Sequence, residues 1–329
     1  MATLLVIGGS GFFGKSILDL FQRGGLSPWH IDRVIAMSRN TASLKTKAPM
    51  LLSSQVELLS VDITTTDYLP QADFVIHAAA SSDAMNYLTR PLEERRNIQA
   101  GILNYCRLAK IYHSNSKILY VSSGAVYGTQ PDCLEHISED YYALDPSDIP
   151  EGKRDYACAK RDAEAAMIQL GNDGMSVSIA RCFSFVGPWL PLNQHFAIGN
   201  FIADGLVGRP INVKAQHKVY RSYLYADDLV EWLMACANHA NTQCPTFNVG
   251  SDMPVLMGEI AQIVAHEFGL IVNVPHISDI KVDRYVPDIT KIREELGVII
   301  KYDLPSAIVE TAKTLRIRNK KVDIYSNNS

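Results

Sequence analysis

The sequence predicts an α/β protein: a doubly wound parallel sheet with a smaller mixed α/β lobe that holds the substrate. Three observations carry this. Short apolar runs alternate with longer helical patterns through the first half of the chain, as in βαβ units joined by right-handed crossovers. A glycine cluster, Gly8-Gly-Ser-Gly11-Phe-Phe-Gly14, stands between the first apolar run and the first helical pattern. After Pro188 prolines and glycines become frequent and the apolar runs shorten, which marks a second lobe.

Leu4 to Ile7 reads as a strand buried on both faces. Lys15 to Arg23 is a helix closed by Gly24-Gly25, and Val34 to Met37 is the next strand. Strands follow at Val56–Val61, Phe74–Ala78 and Lys117–Ser122, with a helix from about Leu92 to Tyr112. Tyr156 to Leu170 is a helix, and Val177 to Arg181 closes the series. Beyond it, Asp227–Asn238, Met257–Phe268 and Asp288–Leu296 are helical, and Thr246–Val249 is a strand. The end from Arg316 to Ser329 carries Arg316, Arg318, Lys320 and Lys321 and reads as a solvated polar tail.

Composition narrows the class. Of 329 residues, 47% are hydrophobic and 20% charged, which excludes disordered, collagen-like and coiled-coil chains. With 31 Lys+Arg against 35 Asp+Glu the net charge is −4, so no general field attracts nucleic acid or an anionic membrane. Cysteines 106, 133, 158, 182, 236 and 244 form no CxxC pair and sit beside no zinc-spaced histidines; no metal is expected. No apolar run approaches the ~18 residues of a membrane span. The first apolar segment lacks the basic start and cleavage site of a signal peptide, so a cytoplasmic location is expected.

The glycine cluster has the GxxGxxG spacing of a Rossmann-type dinucleotide site. There the chain must turn tightly, bring backbone amides to a pyrophosphate, and pack a helix on a strand. Gly8, Ser10, Gly11, Phe12, Phe13 and Gly14 are therefore the candidate cradle. The second strand ends Met37-Ser38-Arg39-Asn40, with no acid to hold a ribose 2′-hydroxyl. Ser38 and the Arg39 fork suit a 2′-phosphate instead, which favours NADP(H), with NAD(H) possible.

Ser122-Ser123-Gly124-Ala125-Val126-Tyr127-Gly128 ends a strand, and Tyr156-Ala-Cys-Ala-Lys160 lies further on. Tyrosine and lysine four apart share a helix face. The ammonium would lower the phenol's pKa and hold the nicotinamide ribose, and the phenol would exchange a proton with a substrate oxygen. Ser123 would hydrogen-bond that oxygen. Ser123, Tyr156 and Lys160 are the candidate catalytic set.

With these motifs the chain resembles an extended short-chain dehydrogenase/reductase of the nucleotide-sugar epimerase/dehydratase/reductase branch. Further matching pieces are Asp62-Ile63, His77-Ala78-Ala79-Ala80, Asn97, Arg181 leading to Gly187-Pro188, and Arg221-Ser-Tyr-Leu-Tyr-Ala-Asp-Asp228. The resemblance implies that Asp62 and Ile63 meet the adenine, that His77 and Ala78–Ala80 lie under the cofactor, and that Asn97 joins them. It implies that Arg221, and more weakly Arg284, grips the substrate diphosphate. It also implies a homodimer through the helices near 92–112 and 156–170.

Departures bear on the reaction. The family's 4,6-dehydratases carry Asp-Glu where this chain has Gly124-Ala125, which move no proton. GDP-fucose synthases have a cysteine at the place of Ala125. In RxxNxYGP the asparagine becomes Ser184 and the tyrosine Val186. Ser81, Ser82 and Asp83 should lie near the sugar, with Ser184, Asn193 and His195 as further substrate candidates. The preferred reading is NADPH-dependent reduction of an NDP-4-keto-6-deoxyhexose. The alternative is an NDP-sugar 4-epimerase with tightly bound NAD; a 4,6-dehydratase or a redox-silent NADP-binding regulator ranks lower. Residues 1–183 with 219–248 would bind the dinucleotide, and 184–218 with 249–315 the nucleotide sugar.

Overall fold

The computed structural model describes residues 1–80, 86, 89–141, 145, 147, 149–192, 194, 196–277 and 281–326. Among them the strands in chain order are β1 (Ala2–Ile7), β2 (Ile31–Ser38), β3 (Val56–Ser60), β4 (Phe74–His77), β5 (Lys117–Ser123), β6 (Ser176–Cys182), β7 (Phe185–Val186), β8 (Ile211–Asn212), β9 (Lys218–Arg221), β10 (Leu224–Tyr225), β11 (Thr246–Val249), β12 (Val255–Leu256), β13 (Val272–Asn273) and β14 (Val282–Tyr285). The helices are α1 (Phe12–Gln22), α2 (Ala42–Lys47), α3 (Pro91–Tyr112), α4 (Glu151–Asn172), α5 (Ala197–Leu206), α6 (Ala226–Asn238), α7 (Met257–Phe268), α8 (Thr290–Leu296) and α9 (Leu304–Ser326).

The large sheet has the order β11-β6-β5-β4-β1-β2-β3, with every neighbouring pair parallel. This is a Rossmann-like α/β fold. Its strand order reverses at β1, so the ends of β1 and β4 open on the crevice where such sheets take ligands.

Strand alternation divides the core. Leu4 and Val6 face α1 and α6, packing with Leu18, Leu229 and Trp232. Leu5 and Ile7 face α3 and α4, packing with Ile102, Tyr105, Ala163 and Met167. Each fully buried aliphatic side chain contributes about 1.5–3 kcal/mol, and covering both faces explains the unbroken apolar runs. A third core of Ile198, Phe201, Ile202, Ile260, Val264 and Ile308 lies in the smaller lobe. There β9 pairs antiparallel with β12 and parallel with β14.

Three starts move by three residues or more, the first being β2, which begins at Ile31 instead of Val34. Helix α1 starts at Phe12, because Gly14 is already helical. Helix α4 starts at Glu151, ahead of Tyr156, through a charged first turn that shows no apolar stripe. The segment from Arg316, expected as a solvated tail, instead continues α9 to Ser326. Ala307, Ile308, Thr311, Ala312 and Leu315 form a buried helical seam that carries it. Arg316 pairs with Glu267 at 2.8 Å. Arg318 donates to the Pro188 carbonyl at 2.6 Å and lies 3.9 Å from the Trp189 ring. Both arginines are docking groups.

Candidate active site

The glycine loop leaves β1 at Gly8, whose φ of +98° suits glycine. A Cβ there would stand 2.7 Å from the Ala78 carbonyl oxygen, and one at Gly14 would stand 2.3 Å from the Gly9 carbonyl oxygen. Both positions therefore require glycine. The loop borders a cavity of about 410 Å³ at the switch point. Gly8, Ser10 and Gly11 line one side; Ser38 and Arg39 line the end of β2; Asp62 and Ile63 follow β3. Ala78, Ala79, Ala80 and Asn97 close it. Ser43 and Glu94, which the sequence reading missed, also line it.

Three expected cofactor residues turn their rings away from this cavity. The Phe12 and Phe13 rings pack on Phe185, at 6.2 and 5.7 Å between centroids, so these residues can offer a diphosphate their backbone N–H groups but not their rings. His77 is 2% exposed and points into the α3-side core, edge-on to Tyr105 at 5.1 Å. Burial, helped by the Lys160 charge, lowers its pKa to about 3. It is a neutral core ring, placed there by the same alternation that buries Val75.

The end of β5 and the second turn of α4 bring the catalytic candidates together. Ser123 Oγ accepts from the Ala125 N–H at 3.2 Å, and the Ser123 hydroxyl stands beside the Tyr156 phenol. Lys160 donates to the Val121 carbonyl at 2.8 Å and to Tyr120 Oη at 3.2 Å. Its Nζ stands 5.9 Å from the Tyr156 ring centroid. The expected lowering of the phenol by the ammonium is not found. Burial pushes Tyr156 up to about 12, with the Ser123 hydroxyl acting against it. Burial lowers Lys160 to about 8. Tyr156 is therefore a protonated phenol at neutral pH, suited to donate.

The two substrate arginines do not converge. β9 and β14 pair Arg221 with Tyr285 and Tyr220 with Arg284, so Arg221 and Arg284 lie on opposite faces of the small sheet. Asp283 takes the Arg221 fork at 2.8 and 3.2 Å, whereas Arg284 stacks on Tyr220 at 4.4 Å. One diphosphate cannot be gripped by both. Ser184 is half-buried and its carbonyl accepts from the Leu224 N–H at 3.1 Å. Ser81, Ser82, Asp83, Asn193 and His195 lie outside the described residues. The site also contains Tyr285, absent from the sequence reading. Its ring lies on Phe183 at 4.6 Å, and its hydroxyl stands beside Ser123, where a Cβ on Gly124 would come within 2.7 Å of it.

The site thus joins a glycine-lined cavity at the switch point with a Ser-Tyr-Lys set. The chain is similar to known proteins in sequence and in fold. UDP-glucuronic acid decarboxylase 1 of Arabidopsis thaliana is 30% identical over 321 residues, covering 96% of this chain and 70% of that protein. The Xenopus tropicalis UDP-glucuronic acid decarboxylase 1 is 27% identical, covering 89% of this chain and 67% of that protein. Among solved structures, a UDP-glucose 4-epimerase of Thermotoga maritima with UDP-glucose superposes with TM-score 0.77 at 19% identity, covering 96% and 99% of the two chains. A dTDP-glucose 4,6-dehydratase of Streptomyces venezuelae with NAD bound gives 0.77 at 20%, covering 97% and 98%. A profile of the NAD dependent epimerase/dehydratase family matches residues 4–250, from β1 through β11, and the chain belongs to that family.

Proposed function

We propose that the protein is an NADPH-dependent reductase of an NDP-4-keto-6-deoxyhexose. The observation that carries this reading is that Ser123, beside Tyr156, is followed by Gly124 and Ala125, where no side chain can act as a second acid or base. The set serves hydride and proton transfer at one carbon and offers nothing for water elimination.

The residues fit a dinucleotide. Gly8 and Gly14 let the loop pack so closely on Ala78 and Gly9 that no Cβ fits, which sets the loop along one side of the 410 Å³ cavity. Ser38 Oγ is buried without a partner, and among the described residues no carboxylate pairs with the exposed Arg39. The backbone N–H groups of Ser10, Phe12 and Phe13 would hold the diphosphate, that of Gly11 being donated to the Gly8 carbonyl at 3.0 Å, with Asp62 and Ile63 at the adenine end. A bound reduced nicotinamide supplies the hydride. Tyr156 then donates its phenolic proton to the sugar oxygen and is reprotonated from solvent. Ser123 orients that oxygen, and Lys160 faces the ribose. Arg221, freed from Asp283, would meet the diphosphate. In this division, 1–183 with 219–248 hold the cofactor, and 184–218 with 249–315 hold the sugar.

Substituting Arg39 by alanine should weaken NADP(H) by roughly 10- to 100-fold and leave NAD(H) little changed. A charge-assisted hydrogen bond of about 1.5–3 kcal/mol is lost in the first case alone. Titration of both cofactors checks this; equal losses would remove the case for NADPH.

A second reading has the relatives behind it: oxidation at C4 of UDP-glucuronic acid gives a β-keto acid, which loses CO₂ before the hydride returns. Epimerisation likewise returns the hydride. The deciding experiment incubates the protein with dTDP-4-keto-6-deoxyglucose and NADPH, and separately with UDP-glucuronic acid and NAD⁺. Stoichiometric NADPH consumption supports the reductase, and CO₂ release without net reduction replaces it.

The same reading includes a homodimer. Arg95 and Gln99 of α3 reach Asp162 of α4, so the two helices form one outer surface. On it Leu103 (62%), Ile111 (61%) and Ile168 (44%) are exposed. A second copy across a two-fold axis would cover them. Light scattering should give twice the chain mass, and Ala165→Glu should halve it; a wild-type monomer rejects the interface. Six free thiols suit the reducing cytoplasm.

A further inference from the structure

Ser123 has more neighbours than it can satisfy. A serine hydroxyl has one hydrogen and two lone pairs. The Ala125 N–H takes one lone pair at 3.2 Å. One hydrogen and one lone pair remain for Tyr156, Tyr285 and the substrate oxygen. Of the two phenols, Tyr285 has a second outlet: its Oη also donates to the Cys182 carbonyl at 3.4 Å. Its place is tied to Gly124. A Cβ on residue 124 would stand 2.7 Å from Tyr285 Oη and 2.8 Å from the Phe183 ring. The volume that a side chain after the catalytic serine would use is thus filled by a hydroxyl from β14.

We propose that Tyr285 is a positioning residue for Ser123. Before substrate binds, its oxygen receives the serine hydrogen while its own hydrogen goes to the Cys182 carbonyl. When a substrate oxygen arrives, Ser123 turns its hydrogen to that oxygen and Tyr285 donates to Ser123 instead. Every group is then satisfied: Ser123 accepts from Ala125 N–H and Tyr285, and the substrate oxygen receives Ser123 and Tyr156. A serine that accepts two hydrogen bonds is a stronger donor, and the gain grows as negative charge develops on the substrate oxygen. No bond to carbon forms or breaks at Tyr285. The inference rests on the reductase reading and deepens it.

Tyr285→Phe keeps the ring on Phe183, so folding and melting temperature should stay near wild type. With dTDP-4-keto-6-deoxyglucose and NADPH, kcat should fall about tenfold with KM little changed. In a Ser123→Ala background the same change should have no further effect, because the serine it acts through is gone. Additive losses would overturn the proposal. Independently of any turnover, protein carrying ¹³C-labelled tyrosine should show a phenol signal that disappears in Tyr285→Phe and moves in Ser123→Ala. If that signal stays in place, Tyr285 does not hold Ser123. If the signal moves but wild type turns over neither this substrate nor UDP-glucuronic acid, the functional reading fails and the positioning role stands.

Discussion

Tyr156→Phe is expected to lower turnover by roughly 10²–10⁴-fold while cofactor affinity stays near wild type, the usual worth of a positioned proton donor. The ring remains, so α4 keeps its packing on the sheet; what disappears is one hydroxyl. Its surroundings say why nothing replaces it. Burial holds the phenol protonated, pushed up to about 12. An alkoxide formed by hydride addition is a stronger base, so the proton moves downhill from Tyr156. Lys160 is held off that oxygen, since two of its three hydrogens go to the Val121 carbonyl and Tyr120 Oη at 2.8 and 3.2 Å and its Nζ stands 5.9 Å from the Tyr156 ring centroid. Ser123 can hold the oxygen but is a far weaker acid than a phenol. Gly124 and Ala125 bring no proton. The check is steady-state turnover with dTDP-4-keto-6-deoxyglucose and NADPH, alongside titration of the cofactor. A variant running at wild-type rate would take Tyr156 out of the proton path.

What the sequence shows of this site is what lies close together along the chain. Gly8, Gly11 and Gly14 are one turn, and Tyr156 and Lys160 are one helix face; local geometry turns such spacings into positions. The sheet followed because near-continuous apolar runs alternate with helices. Contacts across elements were not legible in the same way. Whether Arg221 and Arg284 share a face depends on the pairing of β9 with β14, and strand parity then separates them. Tyr285 reaches Ser123 from far along the chain and has no local motif. His77 was readable in hindsight of its own strand: Val75 and His77 share a face, and that face is the α3-side core. The end of the chain misled because its own residues are polar. The apolar seam that extends α9 lies upstream, at Ala307 to Leu315.

Glu164→Ala should be the most damaging single change outside the reacting centre, costing about 3–5 kcal/mol of stability, as when one partner of a buried ion pair is removed. Glu164 lies one turn beyond Lys160 on α4 and is 6% exposed. It accepts from Arg181 Nη2 at 2.8 Å and Nε at 3.1 Å, and from Ser122 Oγ at 2.5 Å. Arg181 Nη1 donates onward to Tyr127 Oη at 3.0 Å and the Glu139 carbonyl at 3.1 Å. Tyr127 donates to Asn248 Oδ1 at 2.7 Å, and Asn248 Nδ2 donates to the Ile137 carbonyl at 2.8 Å. Among the described residues no other carboxylate pairs with Arg181. Alanine would leave that guanidinium largely desolvated with neutral partners alone, and Ser122 without its acceptor. The network joins α4, β5, β6 and β11 directly behind Ser123 and Tyr156, so the loss should also loosen the catalytic pair. Glu164→Gln keeps the shape and one acceptor oxygen, and should fall between alanine and wild type, which separates the lost charge from the cavity. Denaturant unfolding measures both variants. A shift below about 1 kcal/mol for Glu164→Ala would show that water satisfies Arg181, and that the chain from Glu164 to Asn248 does not hold the sheet end in place.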